Sequence, residues 1–317
     1  MTLLLSRSAL ESLLDPAACL DVLRRGFTAR DAASGARRVV VDLPGGAAAT
    51  ALVPGMVDGI PAYTVKVNAK FPGGSPALRG VVCLHDLATG ELLAVLDSAT
   101  VTAWRTGLAA ALGTHALARP EAGAVAVIGA GAQAELVLRG LGELREVRAL
   151  TVCDLDGDRA ADFAARHGAR LGAPAAVAPG PRAAVRDAGI AVMATWARSP
   201  LLHAADVAPG THLTSLGADQ PGKAELAADL LAGARVVVDD VPLAVETGAL
   251  AGAGPDVERA AGTLGDVLRG RAPGRTGGAE VTVYAPVGLP WQDLALSWTA
   301  YTAARAAGAG AEFDFLG

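Results

Sequence analysis

The stretch AVAVIGAGAQAE, residues 124–135, decides the reading of this chain, because a buried strand, a glycine turn and a helix start follow one another in it. Val125, Val127 and Ile128 are β-branched residues suited to a strand. Gly129 allows the tight turn, and Gly131 removes the side chain that would hold the backbone away from phosphate oxygens. The helix expected from about Ala132 aims free N–H groups and its positive dipole end at an anion. Ala134 fills the third position of the pattern, a small residue where helix and strand pack closely. The triplet GAG recurs at 252–254 and 308–310, in a chain with 39 glycines among 317 residues. Only the copy at 129–131 has a strand before it and an amphipathic helix after it, so context carries the assignment.

A second strand, RALTVCDLD, ends on Asp154, 25 residues beyond Gly129. An acid roughly 20 residues past such a turn binds the adenosine ribose of a dinucleotide. A carboxylate there repels a 2′-phosphate, and no Arg or Lys follows until Arg159, so NAD is expected over NADP. NADP stays open, because Asp156 and Arg159 could rearrange the ribose pocket. Asp154 would equally open the turn DLDGD, since Asp commonly starts turns.

Hydrophobic residues make up 52% of the chain and charged residues 19%, which is ample for the cores of two domains. The net charge is −5, with no basic block, so neither nucleic acid nor an anionic membrane surface is an expected partner. No apolar run approaches the roughly 20 residues that span a bilayer. The N-terminal MTLLLSRSALESLL lacks the basic front and cleavage site of a signal peptide. Cys19, Cys83 and Cys153 are widely spaced, as suits a reducing cytoplasm. His85, His115, His203 and His212 do not cluster with other metal ligands, and no metal is expected.

Asp15 and Pro16 predict a helix over 16–33 that ends at Gly35. Extended segments at 38–43, 48–53, 60–67, 80–86 and 92–96, separated by glycine-rich turns, predict a mainly antiparallel unit. Ser98 opens a long helix to about residue 118, and Pro120 marks a change of pattern. Strands near 125–128, 149–153, 189–194, 211–216, 235–239 and 281–284 then alternate with helices, which implies a doubly wound parallel sheet. The segment from Trp291 reads as a helix returning to the first domain. The expected fold is therefore α/β: a Rossmann-type dinucleotide domain at 119–288, and a mainly antiparallel α+β substrate and dimerisation domain at 1–118 with 289–317.

Arg38, Lys66 and Arg105 each stand in apolar company, either as snorkelling surface cations or as ligands for an anion. The segments VKVNAKFPGG, LHDLATGELLAVLDSATVTAWRTG, VAVIGAGAQAE, SLGADQPGKAEL and VGLPWQDLA, in this order, together resemble the ornithine cyclodeaminase and mu-crystallin family. The resemblance runs from about residue 36 to residue 305. It implies a homodimer, a nicotinamide cofactor and a small amino-acid or imino-acid substrate.

By that resemblance Arg38, chosen over its neighbour Arg37 with the assignment between them open, clamps an α-carboxylate together with Lys66 and Arg105, with Lys66 also catalytic and Arg105 also near the cofactor. Asp219 matches the family's catalytic aspartate, able to stabilise an iminium and shuttle a proton. Read locally, Asp219 and Lys223 would equally be a helix N-cap and a charge pair one turn on. Gly129, Gly131, Ala132, Gln133, Asp154, Thr195 and Lys223 match the cofactor positions. Ala77, Met193 and Pro286 replace hydroxyl residues of the family pattern, which implies a less polar nicotinamide pocket.

Cyclodeamination needs an acid to hold a distal ammonium; the resemblance implies a glutamate on the second strand for ornithine-acting members, where this chain reads AAATALVPG, and Asp58 is the nearest acid. The leading expectation is therefore NAD(P)H-dependent reduction of a 2-imino acid or cyclic ketimine, reversible as an amino-acid dehydrogenase. The alternatives are an ornithine or lysine cyclodeaminase and a non-catalytic, mu-crystallin-like binder.

Overall fold

A computed structural model of the chain describes residues 1–29, 37–43, 48–71, 74, 76–220, 222–315 and 317, without the side chains of Arg37, Arg38, Asp42, Ala48, Val53 and Arg259. The elements begin with β1 (Thr2–Leu5), α1 (Arg7–Leu13), α2 (Pro16–Thr28), β2 (Arg37–Asp42), β3 (Ala48–Gly55), β4 (Ala62–Lys70), β5 (Leu78–Asp86), β6 (Leu92–Asp97) and α3 (Ser98–Leu117). Next come β7 (Ala124–Ile128), α4 (Ala132–Leu144), β8 (Ala149–Cys153), α5 (Gly157–Leu171), β9 (Ala175–Val177), α6 (Pro181–Val185), β10 (Ile190–Met193) and β11 (His212–Ser215). The rest are α7 (Ala228–Gly233), β12 (Arg235–Val238), α8 (Val241–Thr247), α9 (Pro255–Ala260), β13 (Gly262–Thr263), α10 (Leu264–Leu268), β14 (Thr282–Tyr284), α11 (Pro290–Ala307) and β15 (Ala311–Phe313). Two compact units result, Met1–Thr106 with Leu289–Gly317, and Gly107–Gly288.

In the first unit a seven-stranded sheet runs β15-β1-β6-β5-β4-β3-β2. Its neighbours are antiparallel except for β1 and β6, which pair in parallel at Leu3 and Ala94. The sequence reading missed β1, because four apolar residues without alternation carry no strand period. Asp15 caps α2 by accepting from the Ala18 N–H at 2.9 Å, and the helix buries Cys19, Leu20, Leu23 and Phe27 along one face.

The helix α2 ends at Thr28, earlier than the expected residue 33. The Thr28 hydroxyl donates back to the carbonyls of Arg24 and Arg25, and Ala29 is already extended. The expected stop, Gly35, lies outside the described residues. The Phe27 ring meets Trp291 of α11 edge-on at 5.0 Å. A β-carbon at Gly26 would stand 2.2 Å from that indole, so only glycine lets α11 approach α2 here.

In the second unit all eight strands are parallel, in the order β13-β12-β14-β11-β10-β7-β8-β9. The chain steps from β7 to β8 on one side and later to β10 on the other. Ligands of such sheets bind beyond the carboxyl ends of the strands at this reversal. Strands β9 and β13, three and two residues long, escaped the sequence reading.

The later half of α3 belongs to the second unit, so the division falls earlier than the expected residue 118. Packing explains this: a β-carbon at Gly113 would lie 2.4 Å from the Tyr284 ring, and Thr114 shares a 2.6 Å hydroxyl contact with Thr214. His212 is buried between the hydroxyls of Thr282 and Thr214, at 2.9 Å from each. Burial pushes its pKa down to about 3, so it stays neutral. Among the described residues no group of three or more His, Cys, Asp or Glu could hold a metal, and no helix is long and apolar enough to cross a membrane.

Candidate functional site

Alternation along β4 sends Ala62, Thr64, Lys66 and Asn68 to the buried face. The Lys66 side chain is only 1% exposed, and its ammonium lies 2.8 Å from Oδ1 and 2.7 Å from Oδ2 of Asp293, which is equally buried. It also donates to the Thr102 hydroxyl at 3.2 Å. Arg105, on α3, places Nε 3.4 Å from Asp293 Oδ1 and donates to the Gln292 side-chain oxygen at 3.3 Å. Asp293 stands in the first turn of α11, where the helix dipole favours a carboxylate. Two cations thus converge on one internal carboxylate. Arg38 pairs with Leu52, which pairs with Lys66, so these residues occupy one cross-strand row; the Arg38 side chain lies outside what is described.

In the second unit Gly129 adopts φ +93°, the left-handed region that glycine tolerates. A β-carbon there would lie 2.5 Å from the Ala194 carbonyl and 3.1 Å from Thr195 Cγ2, so the turn after β7 sits against the end of β10. At Gly131, by contrast, a β-carbon would meet nothing within 4 Å. Gly131 also caps α4 without a side chain, which leaves open space before the N–H groups of Ala132, Gln133 and Ala134.

Asp154 ends β8. Its Oδ2 accepts from the Ala130 N–H at 2.7 Å, and its Oδ1 accepts from the Asp156 N–H at 2.9 Å and Arg159 at 2.6 Å. Burial works to raise its carboxyl, but these donors and the Arg159 charge hold it below the usual carboxylate range.

Beyond β10 and β11 the organising group is Glu225. Its Oε1 accepts from the Thr195 N–H and hydroxyl, both at 2.7 Å, while Oε2 accepts from the Ser215 hydroxyl at 2.7 Å and the Gly217 N–H at 2.8 Å. A β-carbon at Gly217 would stand 2.5 Å from Oε1, so glycine is what admits the carboxylate. Burial pushes the Glu225 carboxyl above its ordinary value, against the four donors that favour the ionised form.

Two residues beyond Gly217, Asp219 accepts from the Lys223 ammonium at 2.9 Å, and that ammonium lies 4.5 Å from the Trp196 ring centre. The described part of this segment is not helical, which removes the local reading of Asp219 and Lys223 as an N-cap and a helix-turn pair.

The structure therefore brings Lys66 and Arg105 together in the first unit, and gathers Gly129, Gly131, Ala132, Gln133, Asp154 and Thr195 at the strand ends of the second, with Asp219 and Lys223 paired beside Glu225. Met193 is fully buried in the apolar core, so its departure from the hydroxyl pattern is a matter of packing. Asp58 is exposed. Sequence reasoning missed Gln292, Asp293 and Glu225. All three lie inside the segments PWQDLA and GKAEL; Asp293 there reads as an ordinary acid in a helix's first turn, and no local pattern marks Gln292 or Glu225.

The family model of the ornithine cyclodeaminase/mu-crystallin family matches residues 2–308. Delta(1)-pyrroline-2-carboxylate reductase of Bacillus cereus is 30% identical over 277 residues, covering 84% of this chain and 85% of that protein. The structure of Thermococcus litoralis Delta(1)-pyrroline-2-carboxylate reductase in complex with NADH and L-proline matches 98% of this chain and 100% of that one, with 26% identity and a TM-score of 0.91. An archaeal alanine dehydrogenase dimer with bound NAD matches 99% of both chains, with 28% identity and a TM-score of 0.90.

Proposed function

Since the chain belongs to the ornithine cyclodeaminase/mu-crystallin family, we propose that it reduces the C=N bond of a 2-imino acid or cyclic ketimine with NADH, reversibly as an amino-acid dehydrogenase. The observation that carries this reading is the burial of Lys66 and Arg105 around a single carboxylate. Buried cations of this kind suit a substrate carboxylate, which Arg binds as a planar fork and Lys as a point charge. The relatives, a pyrroline-2-carboxylate reductase and an alanine dehydrogenase solved with NADH and NAD, support it.

The turn after β7 fits a dinucleotide, because Gly131 leaves open space in front of an uncapped helix start and Asp154 stands at the next strand end. Gly129, Gly131, Ala132, Gln133, Asp154, Thr195 and Lys223 would hold it. When bound, NADH supplies the hydride that reduces the C=N carbon. Lys66 and Arg105, with Arg38 from the same row, fix the α-carboxylate. Asp219 delivers the matching proton to nitrogen, and Lys223 stabilises the carboxylate that remains.

Among the described side chains on the Lys66 face of β3 and β4, namely Thr50, Leu52, Ala62, Thr64, Asn68 and Lys70, none is acidic. They offer nothing to hold a distal ammonium, which argues against cyclodeamination. The test is incubation of the purified protein with NADH and a panel of 2-oxo acids plus ammonia or methylamine, preformed cyclic ketimines, and separately NAD with ornithine or lysine. Net NADH oxidation with formation of a new amine is expected. Arg105→Ala should lower kcat/KM by about 100-fold or more, as loss of a buried charge-assisted contact does. Proline or pipecolate released with ammonia, without net NADH change, would overturn the reductase reading.

The proposal includes a homodimer formed through the first unit. Val39, Ala51, Val67 and Val81 lie in one row across β2 to β5, and the three valines are 50, 49 and 42% exposed. Such an apolar row suits a protein partner, and the archaeal alanine dehydrogenase is a dimer. Sedimentation velocity should give a dimer at micromolar concentration, and Val67→Lys a monomer; a wild-type monomer rejects the assignment. Cys19, Cys83 and Cys153 are free thiols, in keeping with a cytoplasmic setting.

A further inference from the structure

Trp196 is 56% exposed, yet the backbone on either side of it is held. The Thr195 N–H and hydroxyl both donate to Glu225, the Ala197 N–H donates to the Thr195 hydroxyl at 3.2 Å, and the Ala197 carbonyl accepts from the Ala224 N–H at 3.1 Å. The indole is thus presented at a fixed place beyond β10. Its ring centre lies 4.5 Å from the Lys223 ammonium, which Asp219 binds at 2.9 Å. The Lys223 side chain is 9% exposed and that of Asp219 23%. An ammonium so little hydrated draws its compensation from the carboxylate and from the negative face of the indole. Without the ring it would stand in water, where a lysine–carboxylate pair is weak and the long stem samples many rotamers.

We propose that Trp196 is a positioning and specificity-determining residue of the reductive site. Its ring holds Lys223 on Asp219, and its exposed surface forms an apolar wall for the ring of a cyclic ketimine. The inference rests on the reductase reading with Asp219 as proton donor. It deepens that reading by choosing, among 2-imino acids, those whose carbon chain is closed into a ring. The methylene groups of such a ring bury apolar area on an indole, whereas the methyl group of a small open-chain imino acid covers little of it. A substrate with a distal ammonium gains least, because that charge would approach the ammonium of Lys223.

The test is steady-state kinetics with NADH on two substrates, a six-membered cyclic ketimine carboxylate and pyruvate with ammonia. Trp196→Ala should raise KM for the ketimine about tenfold, the effect of uncovering about two methylene groups, and leave KM for pyruvate within about twofold. It should lower kcat about fivefold on both substrates, because Lys223 is no longer held on Asp219. Trp196→Leu should restore the ketimine KM but not kcat, since it rebuilds the apolar wall without the aromatic face. Trp196→Phe should restore most of both. A KM unchanged by Trp196→Ala or raised equally for the two substrates, or a kcat restored by leucine as fully as by phenylalanine, overturns this inference alone. Wild-type protein that oxidises NADH with neither substrate overturns the reductase reading and the inference with it.

Discussion

Lys66→Met should lower the stability of the first unit by about 3 kcal/mol and abolish turnover. Removing one partner of a buried ion pair costs about 3 to 5 kcal/mol, because the other charge is left in a poorly solvating interior. The lower figure applies here, since Asp293 keeps Arg105 at 3.4 Å. Asp293→Asn should cost at least as much, as it leaves Lys66 and Arg105 facing a neutral amide. The double variant Lys66→Met with Asp293→Leu should recover only part of the stability, since it removes both ions of the pair but leaves the buried Arg105 without its carboxylate. None of the three should turn over substrate. Trp104, Trp291 and Trp298 all belong to the first unit, so their fluorescence in urea follows its unfolding. Wild-type stability in Lys66→Met would show that the pair is not buried as described, and turnover in it would remove Lys66 from the carboxylate clamp.

Glu225→Ala should cost roughly 3 kcal/mol or more in the second unit, with kcat/KM falling at least about 100-fold. Four donors from Thr195, Ser215 and Gly217 would lose their acceptor, and each unsatisfied buried group costs about 1 to 3 kcal/mol. The loss of activity follows because the same carboxylate ties the ends of β10 and β11, from which Thr195 and Asp219 project.

Glu225→Gln separates charge from shape. The folded carboxyl is raised by burial, so above about pH 4.3, where an unfolded glutamate ionises, the native state holds the extra proton. Over the window from there to the raised folded value, stability contributed by this group falls with rising pH. The variant lacks that slope, so the wild type should lose stability relative to it as pH rises through the window. Parallel pH profiles would show that the carboxyl is not raised.

Much of the second unit was legible beforehand. Strand-turn-helix periodicity located β7, the glycine turn and α4, and the spacing from Gly129 singled out Asp154. The short strands β1, β9 and β13 were not legible, because two to four residues cannot display a period and their pairing partners supply their order. The end of α2 was misplaced for a similar reason: the Thr28 hydroxyl turns to the Arg24 and Arg25 carbonyls, which no pattern of apolar residues reveals.

By itself the sequence determined the parallel sheet, the phosphate-shaped turn and the candidate cations, because strand period, helix capping and the missing β-carbon of glycine are properties of adjacent residues. Tertiary structure alone decided which charges meet. Lys66 finds Asp293 across 227 positions of chain, Thr195 finds Glu225 across 30, and Arg159 settles on Asp154 rather than standing free. The physical reason is that an ion pair or a buried acceptor is fixed by strand register and helix docking, and its energy depends on the burial those create.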